Sequence, residues 1–583
     1  QKYYQYADGH TMNNFIGLNE AGAIPYYLVT NVSGLQRDYA DQYYLDTSHV
    51  HDINKVNFVF DKFSANSTTV SYYFPSGTNG EAGTKQYYTY PNGLDSGMYK
   101  GSGIDGNPPY FLPALQSVNQ MESDSGWKRS IDYTVHPNAD STNPGSYDRF
   151  SRMAWMLGAA FGSNKYPMDS LQYTIPANNI SGLDNMSYVE TGNENDGDWL
   201  GADTWYSPQA FIAYSSAFYD GNDGLMGSRM GIKNSDPNIK VVMAGNAYEY
   251  YDYLRTMRYW SYYSRPDHKI PFDVYNFHDY NYIPNTPHSA FQPENYNRLG
   301  YSNIRSYWQT VVDSAHEVCP RCDVWETEWG YDRNSNLTNA VPFVPGQDSA
   351  EVQGNWVARS WIMQSFVKGL GASFYYMFAN ANGFHYDSGA YNNYSTCGLI
   401  DGSIYGNPCC SINAYAFPAY YYQSTIFHVL NNYIPDSIIY ENGVSDSIYE
   451  YRYRNASYPD SVAYVVWSGT VSNKRDTLNM NMGSNAVRIQ LEDKYLNGEM
   501  TAMHPDSTGN ILLFISETPQ IILSLKGADQ GVLSKPVVPT VNSPTTTIYK
   551  LTFKQIIDVN GKIEVIFTDP STGKNYGYIL PLN

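Results

Sequence analysis

Charge is scarce in this chain. Of 583 residues only 16% are Asp, Glu, Lys or Arg, against roughly 25% in an average soluble domain. A disordered polyelectrolyte is therefore excluded, because such chains are rich in charge and poor in rings. The charge present is one-sided: 36 basic against 56 acidic residues, a net charge of -20. A field of that sign repels phosphate backbones, so no nucleic-acid partner is expected. No window reaches the ~18 or more uncharged apolar residues of a membrane helix, so no membrane span is expected either. The start, Gln1-Lys2-Tyr3-Tyr4, lacks a basic region followed by an apolar one and is compatible with a mature N-terminus left by signal cleavage. Cysteines number five, too few and too odd to hold the fold together. Cys319-Pro-Arg-Cys322 has the spacing of a redox or half-zinc site. Zinc needs two further ligands nearby, and no second CxxC or HxxxH exists, so a local disulfide in an exported protein is the favoured reading. Cys397 with Cys409 or Cys410 is a second candidate pair. What the chain has instead is tyrosine: 58 residues, within a hydrophobic fraction of 42%. A neutral ligand that stacks on rings fits this composition.

Length alone suggests two to four domains. From about Phe15 to about Tyr433, β-branched and aromatic runs alternate with amphipathic stretches. The strand-like runs include 186–190, 239–243, 272–277, 322–327 and 372–378. Helical stretches fall at 147–161, 207–219, 250–263, 301–318, 349–370 and 414–433. Ser207-Pro208 and Ser349 read as helix starts, with Pro at the first helical position in the former case. Repeated strand–helix units imply a parallel sheet with right-handed crossovers. About eight units can be counted if 18–39 and 110–117 supply the early strands, which predicts an α/β fold, a (β/α)8 barrel with large loop insertions, over residues 1–435. One insertion reads as a hairpin of 56–63 and 68–74. After Tyr433 the period becomes two and the runs short, as in a β-sandwich, over 436–527. Residues 528–547, rich in Pro, Ser, Thr and Val, read as a linker. Residues 548–583 carry three strand-like runs and form a small β module.

Residues at the C-terminal ends of barrel strands line the active site of such folds. Glu190-Thr191-Gly192-Asn193-Glu194 ends the fourth strand, Phe277-His278-Asp279-Tyr280 the sixth, and Glu326-Thr327-Glu328-Trp329-Gly330 the seventh. Cleavage of a glycosidic bond needs two carboxyl groups, one protonated beside the leaving oxygen and one ionised beside the sugar carbon. Opposed strand ends supply that geometry when the groups lie ~5–5.5 Å apart. Glu326 and Glu328 share strand parity, so both are placed to face the barrel interior, with Glu326 a supporting partner. Glu190 is expected within the barrel layer rather than at the bond being cut.

These motifs together resemble the large clan of (β/α)8 retaining glycoside hydrolases, clan A, and within it secreted Bacteroidetes-type hydrolases near family 39. Gly192-Asn193-Glu194 resembles the acid/base motif and Thr327-Glu328-Trp329-Gly330 the nucleophile motif. His278-x-Tyr280 is similar to the strand-6 pair beside the nucleophile, and Arg37 to the early-strand arginine. The resemblance covers about residues 12–435. It implies Glu194 as general acid/base, Glu328 as nucleophile, Asn193 as donor to the sugar 2-hydroxyl, and Tyr280, His278 and Arg37 as groups that keep Glu328 ionised. It departs from the commonest pattern at Gly192, where many members carry Trp.

Sugar rings stack on aromatic faces. Trp199, after the acid/base loop, and Trp329, after the nucleophile, are subsite candidates, and Phe378 a candidate floor; most tyrosines read as packing. Asp196 and Asp198 flank Gly197 like alternating calcium ligands, yet no Glu follows at EF-hand spacing, so no metal and no cofactor is expected. Sequons such as Asn31, Asn66 and Asn336 carry weight only in a eukaryotic chain. The expectation is a secreted or cell-surface glycosidase acting on a polysaccharide or oligosaccharide, endo-acting, with the C-terminal module available for surface attachment. The alternative is a non-catalytic carbohydrate-binding or filament protein built on a hydrolase-like barrel.

Overall fold

In the computed structural model the described residues are 10–19, 26–29, 31–41, 139–167, 181–182, 184, 188–197, 205–247, 251–296, 300–380, 393–402, 415–441 and 447–524, with the strands Tyr73–Pro75, Lys85–Tyr87, Tyr110–Gln116, Thr552–Asp558, Lys562–Thr568 and Asn575–Pro581. The chain divides into two compact units, Gln1–Asn431 and Asn432–Asn583.

The first unit is built on eight parallel strands: β1 (Ile16–Asn19), β2 (Leu35–Asp41), β3 (Tyr110–Gln116), β4 (Tyr188–Glu190), β5 (Lys240–Val242), β6 (Val274–His278), β7 (Asp323–Trp329) and β8 (Leu370–Tyr375). Each pairs with its sequence neighbour, and β1 pairs with β8 to close the barrel. A single helical turn, Tyr26–Val29, follows β1, and longer helices follow the strands from β3 onward: α1 (Asp148–Phe161), α2 (Pro208–Asp220), α3 (Tyr251–Ser264), α4 (Ile304–Val318), α5 (Ser349–Ser365) and α6 (Pro418–Leu430). Leu35, Val242, Val274, Trp325, Ala372 and Phe374 come from five strands and meet as one apolar cluster inside the barrel. That filled interior is what lets the ring of strand ends carry polar side chains above it.

Local signals set the helix starts. Ser207 accepts from the Ala210 amide at 3.2 Å, and Pro208 occupies the first helical position of α2. At α5 the cap is Asp348, which accepts from the Glu351 amide at 2.8 Å, so Ser349 is the first helical residue and not the cap. A carboxylate there also meets the positive end of the helix dipole. Tyrosine serves mainly as filler: Tyr147, Tyr206, Tyr214, Tyr420 and Tyr421 are all buried. The expected hairpin lies outside the described residues except near Tyr73, where Tyr73–Pro75 pairs antiparallel with Lys85–Tyr87. Cys319 and Cys322 form a disulfide immediately before β7. Cys397 is a buried free thiol; Cys409 and Cys410, its expected partners, lie outside the described residues.

In the second unit a six-stranded antiparallel sheet contains β9 (Tyr433–Tyr440), β10 (Ile448–Asn455), β11 (Val462–Ser468), β13 (Ala486–Gln490), β14 (Glu499–Met503) and β16 (Gln520–Ser524). A two-stranded sheet pairs β12 (Asp476–Asn481) with β15 (Asn510–Ile515). The two sheets share a core: Val466 and Ile522 from one, Met480, Ile511, Leu513 and Ile515 from the other. Tyr449 and Tyr451 of β10 stack on Trp467 of β11, each at 5.3 Å. The strands at 552–558, 562–568 and 575–581 form a separate three-stranded antiparallel sheet.

Candidate active site

Strand alternation points every second side chain into the barrel. On β6 this places Asn276 and His278 inside, on β4 Glu190, on β2 Arg37. Arg37 is fully buried and organises the site. Its Nε donates to Glu190 Oε2 at 2.6 Å and its Nη2 to Glu190 Oε1 at 3.0 Å. Nη1 donates to Glu328 Oε1 at 2.8 Å and to Asn19 Oδ1 at 2.9 Å, and Nη2 reaches Asn193 Oδ1 at 2.8 Å. Because arginine only donates, these contacts orient both amides: Asn193 must present its oxygen to Arg37, which leaves its NH2 group to donate elsewhere.

Glu328 receives a second donor, the Tyr280 hydroxyl, at 3.1 Å from Oε2. His278 Nδ1 lies 2.8 Å from Glu194 Oε1 and 3.6 Å from Glu328 Oε2. One carboxylate oxygen of Glu194, one of Glu328 and a ring nitrogen of His278 all fall within 4.8 Å of one another. The two carboxylates differ in environment: the Glu328 side chain is 6% exposed and that of Glu194 is 22% exposed. Burial pulls the His278 imidazole down, but the charges of Glu328 and Glu194 and the Glu194 hydrogen bond push it up by more, against Arg37; its pKa is raised above the ordinary value.

A relay behind His278 sets its orientation. Asn276 donates through Nδ2 to Glu190 Oε1 at 2.9 Å, so its carbonyl oxygen faces Thr327 and accepts from the Thr327 hydroxyl at 2.8 Å. With its proton committed, Thr327 Oγ1 accepts from His278 Nε2 at 3.1 Å. Gly245 makes room for the ring: a Cβ there would stand 2.1 Å from His278 Nε2. At Gly192 a Cβ would meet Asn195 Oδ1 at 2.3 Å and Ala244 Cβ at 3.1 Å, so a tryptophan there would require the Asn195 side chain to move. Glu194 itself adopts φ 49°, a left-handed conformation that costs a non-glycine residue on the order of 1–3 kcal/mol and collects at functional sites.

The structure thus brings together Arg37, Asn193, Glu194, His278, Tyr280 and Glu328. It places two other candidates, Trp329 and Phe378, apart from them; Trp199 lies outside the described residues. Trp329 is buried on the outer side of the barrel, its Nε1 donating to Ser373 Oγ at 2.8 Å and its ring against Trp361 of α5 at 4.9 Å. Phe378 is also buried, its ring 6.2 Å from Tyr420 of α6; β8 ends at Tyr375, and strict alternation no longer applies beyond it. Neither ring can be a sugar platform here. Glu326 is likewise turned outward, where Oε2 accepts from Ser373 Oγ at 3.0 Å. The cause is a bulge: Phe277 pairs with Glu326 but the next residue, His278, pairs with Glu328. The extra residue, Thr327, breaks the parity that Glu326 and Glu328 otherwise share.

Tyr282 and Tyr394, from the loop runs 280–282 and 386–394 that the sequence reads mainly as packing, contribute with Tyr376 to the wall on the Glu328 side. Tyr394 packs on Tyr280 at 4.2 Å, its hydroxyl 2.9 Å from that of Tyr282, and Tyr376 meets Tyr280 edge-on at 6.3 Å. Buried Asp332 holds that loop, accepting from the amides of Tyr394 at 2.7 Å and Thr396 at 2.9 Å. Asn276 shares strand parity with His278 and was legible on that ground; Tyr282 and Tyr394 lie beyond the strands and carry no periodic signal. Asp196 accepts from the Ala247 amide at 2.9 Å, and Asp198 is outside the described residues.

No family model matches the chain, and no characterised protein matches it by sequence. Its structural neighbours are clan A glycoside hydrolases of families 39 and 30. A family 39 glycoside hydrolase from the gut symbiont Bacteroides cellulosilyticus WH2 superposes with a TM-score of 0.50 at 12% identity, over 88% of this chain and 82% of the other. A family 30 endoxylanase from Clostridium papyrosolvens C71 gives 0.45 at 10% identity, over 89% and 98%. At such identities the likeness is one of fold, and it rests on the first.

Proposed function

We propose that the chain is a retaining glycoside hydrolase that cleaves β-glycosidic bonds of a polysaccharide by double displacement. The carrying observation is the pair Glu194 and Glu328, delivered by β4 and β7, with carboxylate oxygens within 4.8 Å of each other. Retaining enzymes place these groups ~5–5.5 Å apart; inverting enzymes need ~6.5–9.5 Å to admit a water. In this reading Glu328, ionised between Arg37 and Tyr280, attacks the anomeric carbon while Glu194 protonates the departing oxygen. Glu194 then takes a proton from the water that hydrolyses the glycosyl–enzyme ester. Asn193, its oxygen held by Arg37, donates to the sugar 2-hydroxyl.

The tyrosine wall beside Glu328 and the insertions around the barrel support an extended cleft and endo action. The Cys319–Cys322 disulfide supports export to an oxidising compartment. No described helix is long and apolar enough to cross a membrane. The three-stranded C-terminal sheet would then serve attachment at the cell surface. The test is hydrolysis of a panel of neutral β-linked polysaccharides by the wild type, Glu194→Ala and Glu328→Ala, with NMR of the first anomer released. A β-anomer and loss of activity in both variants are expected. A first-formed α-anomer overturns retention, and a wild type that cleaves nothing in the panel makes the barrel a binding protein.

A further inference from the structure

Three side chains of metal-ligating type, Glu194, His278 and Glu328, converge in the cleft with one ligand atom each within 4.8 Å of the others. The relay through Asn276 and Thr327 commits His278 Nε2 as a donor, so the other ring nitrogen, Nδ1, is the one that faces Glu194 and Glu328. Its distances to them are 2.8 and 3.6 Å. A tetrahedral zinc site with bonds of ~2.0–2.1 Å separates its donor atoms by about 3.3 Å, so the cluster needs only a small movement to reach that spacing. Glu194, the more exposed carboxylate, is the group free to make it. The support around the cluster is already that of a metal site. A ligating histidine is oriented by the hydrogen bond of its other ring nitrogen, here to Thr327, and Glu328 is fixed by Arg37 and Tyr280.

The ion pairs leave Glu194 outside the arginine's reach: Arg37 holds Glu190 and Glu328, while Glu194 faces His278, whose Nδ1 proton a bound cation would displace. Mixed imidazole and carboxylate donors suit zinc and its neighbours, whereas calcium and magnesium prefer oxygen alone. We propose that Glu194, His278 and Glu328 form a binding site for a divalent transition-metal ion of the zinc type, which closes the cleft to sugar. The ion is not part of the proposed hydrolysis, since it occupies the atoms that hydrolysis uses.

Titration calorimetry of the full chain with zinc chloride, with no sugar present, tests this separately from any catalytic reading. One zinc equivalent is expected in the wild type and none at this site in Glu194→Gln or His278→Gln. Thr327→Val, which removes only the support of the ring, is expected to weaken binding about 10–100-fold. Calcium chloride is expected to give no matching binding. Absence of zinc binding by the wild type, or wild-type binding by both Glu194→Gln and His278→Gln, overturns the proposal. Glu194→Gln alters a partly exposed side chain, so it remains informative even where the buried His278 variant fails to fold. A polysaccharide panel that shows no turnover leaves the zinc result standing.

Discussion

Glu450 sits in mid-strand β10, opposite Val466 of β11, and is 5% exposed. Val466 belongs to the apolar core of the second unit. Burial alone raises the Glu450 carboxyl to about 7. The unfolded group titrates near 4.3. Below that value the carboxyl is protonated in both states and its burial carries no ionisation cost. As pH rises, the unfolded chain ionises while the folded one keeps its proton, and stability falls by about 1.4 kcal/mol per pH unit until the folded group also ionises. By pH 8 the full penalty, about 4 kcal/mol, is present. Glutamine has the shape of the protonated acid and cannot ionise. Glu450→Gln is therefore expected to be neutral near pH 3.5 and to stabilise by about 4 kcal/mol at pH 8. Amide hydrogen exchange in β10 and β11, compared between the two proteins at each pH so that intrinsic rates cancel, reads this out. A protection gain of roughly several hundredfold at pH 8 corresponds to that energy. An equal gain at both pH values, or none at pH 8, refutes the argument from a desolvated charge.

Four further outcomes are expected. Arg37→Met leaves Glu190 and Glu328 buried without their cation and lowers stability by about 3–5 kcal/mol, measured by denaturant unfolding. Tyr280→Phe removes one charge-assisted hydrogen bond to Glu328 of about 1.5–3 kcal/mol, so stability to denaturant drops by an amount within that range and kcat/KM falls roughly ten- to a hundredfold. Glu326→Gln, altering the outward carboxylate, retains activity within about threefold, while Glu328→Gln abolishes it; equal losses in the two would place the bulge wrongly. Asp332→Asn loosens the loop that carries Tyr394, and Cys397 becomes reactive to a thiol reagent, followed by mass spectrometry at that residue.

The barrel was legible because its signal is repetitive. Five late strand runs and six helical stretches each recur within a few residues of their place, and the Asn193-Glu194 and Thr327-Glu328 motifs sit at strand ends where chemistry collects. Short motifs separated by more than a hundred residues thus pointed to one cleft, because closure of the sheet brings strand ends together whatever their separation in the chain. What alternation could not reveal is where it fails. The bulge at Thr327 turns Glu326 and Trp329 outward, and the end of β8 leaves Phe378 among helix side chains. Nor does a pattern of residue types mark Tyr394, whose position depends on a buried carboxylate 62 residues earlier. The cap at Asp348 instead of Ser349 is a smaller case: both residues can cap, and only backbone geometry separates them.

The bulge in β7 also bears on how such a chain can change. Thr327 and Glu328 are adjacent, yet both serve the cleft, one from behind His278 and one beside Arg37. A regular strand cannot do this, since it offers neighbours to opposite sides. The proposed chemistry therefore hangs on a spacing as well as on residue identities. Deleting a single residue here would keep every side chain type nearby and still turn the carboxylate toward α5, so lineages that drift at this point would lose the reaction long before they lose the barrel.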